Sequence, residues 1–122
     1  MSLLDTALIP ILTRALDLTA QRQTLVSQNI ANIDTPGYHA RDLDFRKELQ
    51  RALPGDQDLS AAEVPFVREV RGLIERPDGN NVSIDRESLL MAQNQLLFQT
   101  EAQLLHAEFN RLQLAINGGS GQ

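Results

Sequence analysis

Ser27-Gln28-Asn29-Ile30-Ala31-Asn32-Ile33-Asp34-Thr35-Pro36-Gly37-Tyr38 is the stretch on which the fold turns. It starts with the polar/apolar spacing of a helix and ends in Asn and Asp, whose short side chains bond nearby backbone and draw the chain out of the helix. Pro36-Gly37 then sets a tight turn, with Gly37 expected at a positive φ that other residues resist. Tyr38, the only tyrosine in the chain, follows directly. A plain helix stop requires neither two Asn residues three apart nor an aromatic after the Gly. The segment therefore reads as an interaction motif as well as a turn.

Upstream, from Leu3 to Ile33, apolar residues recur with alternating gaps of three and four. One line is Leu8, Ile11, Ala15, Leu18 and Leu25, interrupted by Arg22; the next is Ile9, Leu12, Leu16, Val26, Ile30 and Ile33, with Thr19 and Gln23 in its gaps. Such gaps keep side chains on one side of a helix, and two adjacent lines make a face wider than one partner helix covers. Pro10 lacks a backbone donor, which predicts a kink or a frayed start.

Downstream, a second long helix is predicted from about Asp85 to Asn117. Its main line is Met91, Phe98, Ala102, Leu105, Phe109, Leu112 and Ile116, with Leu90, Leu97 and Leu104 alongside. Ser83 or Asp85 can cap its start, Glu87 suits the first turn, and Gly118-Gly119 stand where a helix would stop. At 1.5 Å per residue both helices span roughly 45–50 Å, a match that favours antiparallel pairing. The fold class is thus mainly α, two long antiparallel helices forming a coiled-coil unit. Leu8, Leu12, Leu16 and Val26 are expected to pack with Leu97, Phe98, Leu105, Phe109, Leu112 and Ile116, and the breadth of both faces implies further partners from other subunits.

Between the helices, residues 46–82 hold Pro54, Pro65, Pro77, Gly55, Gly72 and Gly79. Val64, Phe66 and Val70 suggest one or two short extended pieces before Ile74, and Asp78-Gly79-Asn80-Asn81 is a firm turn signal. The division is one domain in four parts: the N-terminal helix 1–33, the turn and irregular middle 34–82, the C-terminal helix 83–117 and a flexible tail 118–122.

Composition narrows the function. A net charge of −5 and a single lysine, Lys47, leave no basic run for counterion release, so nucleic acid is not an expected partner. Without cysteine there is no disulfide, thiolate metal site or thiol catalysis. The first residues, Met1-Ser2-Leu3-Leu4-Asp5, lack the marks of a cleaved secretory signal, and no apolar run approaches the roughly 20 residues of a membrane span. His39 and His106 stand apart from metal-ligand spacings. Asp42 and Asp44 imitate a carboxylate pair, but Arg41 and Arg46 beside them favour ion-paired charges. The Asp78 turn resembles a calcium loop only loosely, since Leu89 stands where the bidentate Glu belongs. Neither an enzyme activity, a cofactor nor a small-molecule substrate is expected.

The segment from Leu25 to Phe45 resembles the N-terminal signature of flagellar axial proteins, the rod, hook and hook-associated subunits. That signature is Asn-Ile-Ala-Asn, a short variable stretch, Pro-Gly-Tyr, and an extended arm ending in Phe. Asn29, Ile30, Ala31, Asn32, Thr35, Pro36, Gly37, Tyr38 and Phe45 fill it here. The likeness runs over nearly the whole chain and is strongest to a small proximal rod protein, through Arg41-Asp42-Leu43-Asp44-Phe45, Asp78-Gly79-Asn80-Asn81-Val82 and Met91-Ala92-Gln93-Asn94. Phe98 replaces the more usual Tyr of that group. The resemblance implies a structural subunit of the basal-body rod on the periplasmic side, exported without a cleaved signal. It also implies helices that line a hollow drive shaft, with other copies, other rod proteins, the basal adaptor protein at the membrane ring and the type III export gate as partners. The competing expectation from a different class is a cytoplasmic two-helix adaptor or export chaperone.

Overall fold

The computed structural model describes residues 3–53 and 64–120. The elements run α1 (Leu3–Ala31), β1 (Arg41–Leu43), α2 (Phe45–Arg51), β2 (Val67–Glu69) and α3 (Ile84–Ser120). α1 has 29 residues and α3 has 37, about 44 and 55 Å at the usual rise. They pack antiparallel: the Thr19 hydroxyl meets Glu101 at 2.9 Å, and Asn94 meets Gln23 at 3.1 Å. The expected mainly helical hairpin is present.

Several local expectations change. α1 runs unbroken through Pro10, so its first turns are not frayed over the described residues; only one intrahelical donor is lost there. α3 begins one residue before Asp85, with Ser83 Oγ accepting the Arg86 N–H at 3.3 Å, and continues through Gly118 and Gly119 to Ser120. The arm stays extended through Asp44, as expected, but Phe45 opens a helix not foreseen from the sequence. Asp44 caps a short helix there, its carboxylate accepting the Lys47 N–H at 3.1 Å. The expected extended pieces reduce to one three-residue strand, β2, antiparallel to β1 with Asp42 opposite Arg68. The stretch 54–63, with Pro54 and Gly55, lies outside the described residues.

α1 is covered from two sides. Leu18 and Leu25 pack with Leu43 of β1, joined by Phe45 and Leu49 of α2. Part of the breadth assigned to missing subunits is therefore taken up by the chain's own arm. Glu48, 3% exposed, ties that arm together by accepting from Arg51 and, at 3.0 Å, from the Phe66 N–H.

The seam between α1 and α3 is more polar than the apolar lines suggested. Thr19, Asn94 and Glu101 are buried in it beside Val26 and Leu90. Leu12, Leu16, Leu97, Leu105 and Leu112 are half-buried. Leu8, Phe98, Phe109 and Ile116, expected inside, are exposed, at 46% for Phe98 and 51% for Phe109. α3 is apolar around most of its circumference, so hydrophobicity alone could not pick the inner side. The inner side is the one whose polar residues find partners on α1.

Burial raises the Glu101 carboxyl above its ordinary value, against the lowering effect of the Thr19 hydroxyl. Thr19 also lies 2.9 Å from the Ala15 carbonyl, and its single proton cannot serve both acceptors fully. A protonated Glu101 donates to Thr19 and frees that hydroxyl for Ala15. The penalty of ionisation therefore grows as pH rises from the unfolded value toward the raised folded one, and is complete above it. Glu101→Gln keeps a donor at that place without the charge. It is expected to stabilise the chain at pH 7 by on the order of 0.5–1 kcal/mol, with solvent near the seam keeping the gain small. Thermal melts at pH 7 and pH 4 test this: a variant less stable than the parent at pH 7 would contradict it.

Candidate interaction site

At the end of the hairpin where α1 stops, two turns lie against each other. Gly37 has the expected positive φ, +75°, and Gly79 has +85°. The Gly37 N–H donates to the Asp78 carbonyl at 2.9 Å, and the Asn81 N–H donates to the Tyr38 carbonyl at 3.2 Å. The Asn81 side chain accepts the Ala40 N–H at 2.7 Å. The two strongest turn signals of the sequence thus form one structural unit.

Within it the Asn residues act differently. Asn29, 1% exposed, accepts from Tyr38 Oη at 3.0 Å and from the Arg41 N–H at 3.0 Å, and donates to the Arg41 carbonyl at 2.9 Å. It fixes the path of the arm from within, which also gives Tyr38 its place. Burial raises the Tyr38 hydroxyl above its usual value, with Arg41 opposing and Glu87 adding to the rise, so it stays a donor at neutral pH. Ile30, Asn32 and Phe45 are half-buried, while Ala31, Thr35, Pro36 and Gly37 face outward. The nine residues of the motif are therefore split between an inner frame and an exposed tip. The frame role of Asn29 escapes sequence reasoning because its partners lie on the arm.

The arm is anchored by a carboxylate that the sequence presented as half of a false pair. Asp42 accepts both Nε and Nη2 of Arg22 at 2.9 Å and Nη2 of Arg86 at 2.8 Å. One carboxylate thus joins α1, β1 and α3. Burial pushes the Asp42 carboxyl up, but Arg22, the Leu43 N–H and Arg86 outweigh it and hold it below its ordinary value. Arg86 also bonds Glu87, which is fully buried. Asp44 pairs at 3.4 Å with Arg68 instead of sharing a site with Asp42. An open groove of about 660 Å³ beside these residues is lined by Arg22, Asp42, Arg46, Arg68, Arg71 and Arg86. Its central carboxylate is already committed to two guanidinium groups, so it is poorly suited to act as a general base.

His39 sits between Glu69 at 3.2 Å and Glu75 at 3.5 Å, and the hydrogen bond to Glu69 leads in raising its pKa. Among the described residues no group of three or more His, Cys, Asp or Glu is placed to hold a metal ion, and no helix is long and apolar enough to cross a membrane.

Residues 9–39 match the family model described as "Flagella basal body rod protein". The chain is 33% identical to the flagellar basal body rod protein FlgB of Salmonella typhimurium, over 87% of its own length and 90% of the relative's. It is 32% identical to FlgB of Bacillus subtilis over 88% and 92% of the two chains. Against FlgB of Cereibacter sphaeroides the identity is 38%, over 86% and 90%.

Proposed function

The chain belongs to the FlgB family of flagellar basal body rod proteins, and from that premise we propose how its surfaces serve the rod. It is a structural subunit of the flagellar basal-body rod, located in the basal body and assembled with other rod components. The relatives named above are structural rod proteins, and none is an adaptor or a chaperone.

The helices contribute the wall of a hollow drive shaft that transmits torque and continues the export channel. The observation that carries this is the exposed apolar edge of α3, Met91, Phe98, Phe109 and Ile116, whose spacing keeps them on one side of the helix, beside a hairpin seam satisfied mainly by polar groups. A folded chain that leaves this edge open gains more by burying it between copies than by further folding. A groove of about 690 Å³ along Ala20, Gln23, Met91, Asn94 and Phe98 lies beside that edge. The outward part of the motif, Ala31, Thr35, Pro36 and Gly37, touches neighbouring subunits, while Asn29, Ile30, Asn32, Tyr38 and Phe45 hold it in shape.

The four-part division serves this use with its bounds shifted: α1 and α3 as wall, α3 reaching Ser120 past the expected tail start at 118, and the segment between them as turn and arm. The subunit is exported without a cleaved signal and sits on the periplasmic side. Its further partners are the basal adaptor protein at the membrane ring and the export gate.

Phe98→Asp combined with Phe109→Asp tests the wall. Both rings are about half exposed, so monomer stability is expected to change by no more than about 1 kcal/mol for the pair. Each interface loses the roughly 1.5–3 kcal/mol that burying a Phe provides. Swimming in soft agar is expected to be lost, and the variant to be absent from isolated basal bodies. Rods containing the double variant in normal amount would refute the assignment of this face.

A further inference from the structure

α1 ends with an electrostatic deficit. Its last turn contains no basic residue to offset the partial negative charge of its carbonyls. The Asn32 and Ile33 N–H groups reach the Gln28, Asn29 and Ile30 carbonyls, but the exit that follows, Asn32 to Thr35, lies beyond the helix's own ladder. Gly-terminated helices usually solve this locally. Here Gly37 comes too late, and its N–H is given to Asp78.

The Thr35 and Tyr38 N–H groups reach the Asn32 and Thr35 carbonyls, and the side-chain donors to this exit come from more than 40 residues further along the chain. The Asn80 amide donates to the Asn32 carbonyl at 2.9 Å and to the Thr35 carbonyl at 2.8 Å. The Arg76 guanidinium donates to the Ile33 carbonyl between them. Three acceptors at the exit of α1, the carbonyls of Asn32, Ile33 and Thr35, are thus met by one neutral amide and one cation.

The cap is itself held rigid. Asn80 is fully buried, and its remaining oxygen accepts the Val82 N–H at 2.8 Å. The Arg76 N–H donates to the Asn80 carbonyl at 2.8 Å, and the Gly79 N–H donates to the Arg76 carbonyl at 2.8 Å.

We propose that Arg76 and Asn80 are positioning residues for assembly, a remote C-cap that sets the angle at which Asp34–Gly37 leaves α1 and meets the neighbouring subunit. The cap closes only when the 76–82 loop has docked, so presentation of the tip is coupled to completion of the hairpin. This rests on the proposed contact role of the exposed tip. It goes beyond that reading by assigning the geometry of the tip to side chains outside the motif.

Arg76→Gln removes the cation at a site where the side chain is 41% exposed, so the fold is not at risk. Asn80→Asp keeps the acceptor for Val82 but loses both donations. In the full-length chain, hydrogen exchange of the Gly37 and Tyr38 amides is expected to quicken about tenfold in each variant, equivalent to about 1.4 kcal/mol of local opening. For Arg76→Gln the melting temperature should move by no more than about 2 °C. Both variants are expected to be made at normal level and to fail to enter basal bodies, and Arg76→Lys to restore incorporation by returning the charge. Should exchange at Gly37 stay unchanged, or should rods form normally despite faster exchange, the positioning role is overturned. A parent chain absent from isolated basal bodies would instead overturn the rod assignment, leaving the exchange result standing as evidence for the cap.

Discussion

Gly79→Val is expected to separate the two loops and give a chain that keeps its long helices but builds no rod. Two costs combine at this position. Its φ of +85° lies in the left-handed region, where a β-branched residue is a clear outlier. A Cβ there would also lie 3.2 Å from the Cα of Gly37 and 3.5 Å from its nitrogen, and neither is the free end of a flexible side chain. Together these amount to roughly 3 kcal/mol or more, drawn from a total stability of about 5–15 kcal/mol. Gly37 is the informative comparison. Its φ is +75°, but a Cβ there meets nothing within 4 Å. Gly37→Ala should therefore cost only the backbone contribution, about 1–2 kcal/mol. Far-ultraviolet circular dichroism is expected to be nearly unchanged in Gly79→Val, while protection of the Gly37 amide disappears and soft-agar swimming stops. A Gly79→Val strain that swims normally would mean that contact between the loops is not needed.

The unequal weight of the two glycines shows where sequence reading succeeds. Both turns were legible because Pro36-Gly37 and Asp78-Gly79-Asn80-Asn81 each carry their own local chemistry. Their meeting was not, because no local pattern says which distant turn supplies the Asp78 carbonyl to Gly37. The helices were legible from periodicity, but the inner side of α3 was not. The gaps in the apolar lines held the missing information: Thr19 and Gln23 break one line of α1, Asn94 falls in the gap of the α3 line, and Gln23 meets Asn94. Polar gaps that coincide along two antiparallel helices are a signal of contact that a search for apolar faces discards. Arg22 is a second case. As an interruption it looked like a defect in the stripe, yet it supplies two of the three arginine bonds to Asp42. α2 was missed because its seven residues are mostly charged and its stability comes from the Asp44 cap and from Phe45 and Leu49 packing on α1.

Asp42→Ala is expected to release the arm from both long helices at once. An exposed ion pair contributes about 0–1 kcal/mol, whereas removing one partner of a buried pair costs about 3–5 kcal/mol. The Asp42 side chain is 13% exposed and those of Arg22 and Arg86 are 24% exposed, which places this triad between the two limits. A loss of about 2–3 kcal/mol follows, since two guanidinium groups are left facing each other with no anion between them. The pH dependence identifies the cause. The Asp42 carboxyl is held below its ordinary value of 3.8. Its stabilisation is therefore fully present above that value and is lost as pH falls through the lower folded one. Chemical denaturation at pH 7 should show the full difference between parent and variant, and the difference should shrink below about pH 4 as the parent loses the same charge. The loss should also resist added salt, because a half-buried triad is screened less than surface pairs. If parent and variant differ by the same amount at pH 7 and pH 3, the defect lies in packing rather than charge. Should they not differ at pH 7, the arm is held by Leu43, Phe45 and Leu49 alone.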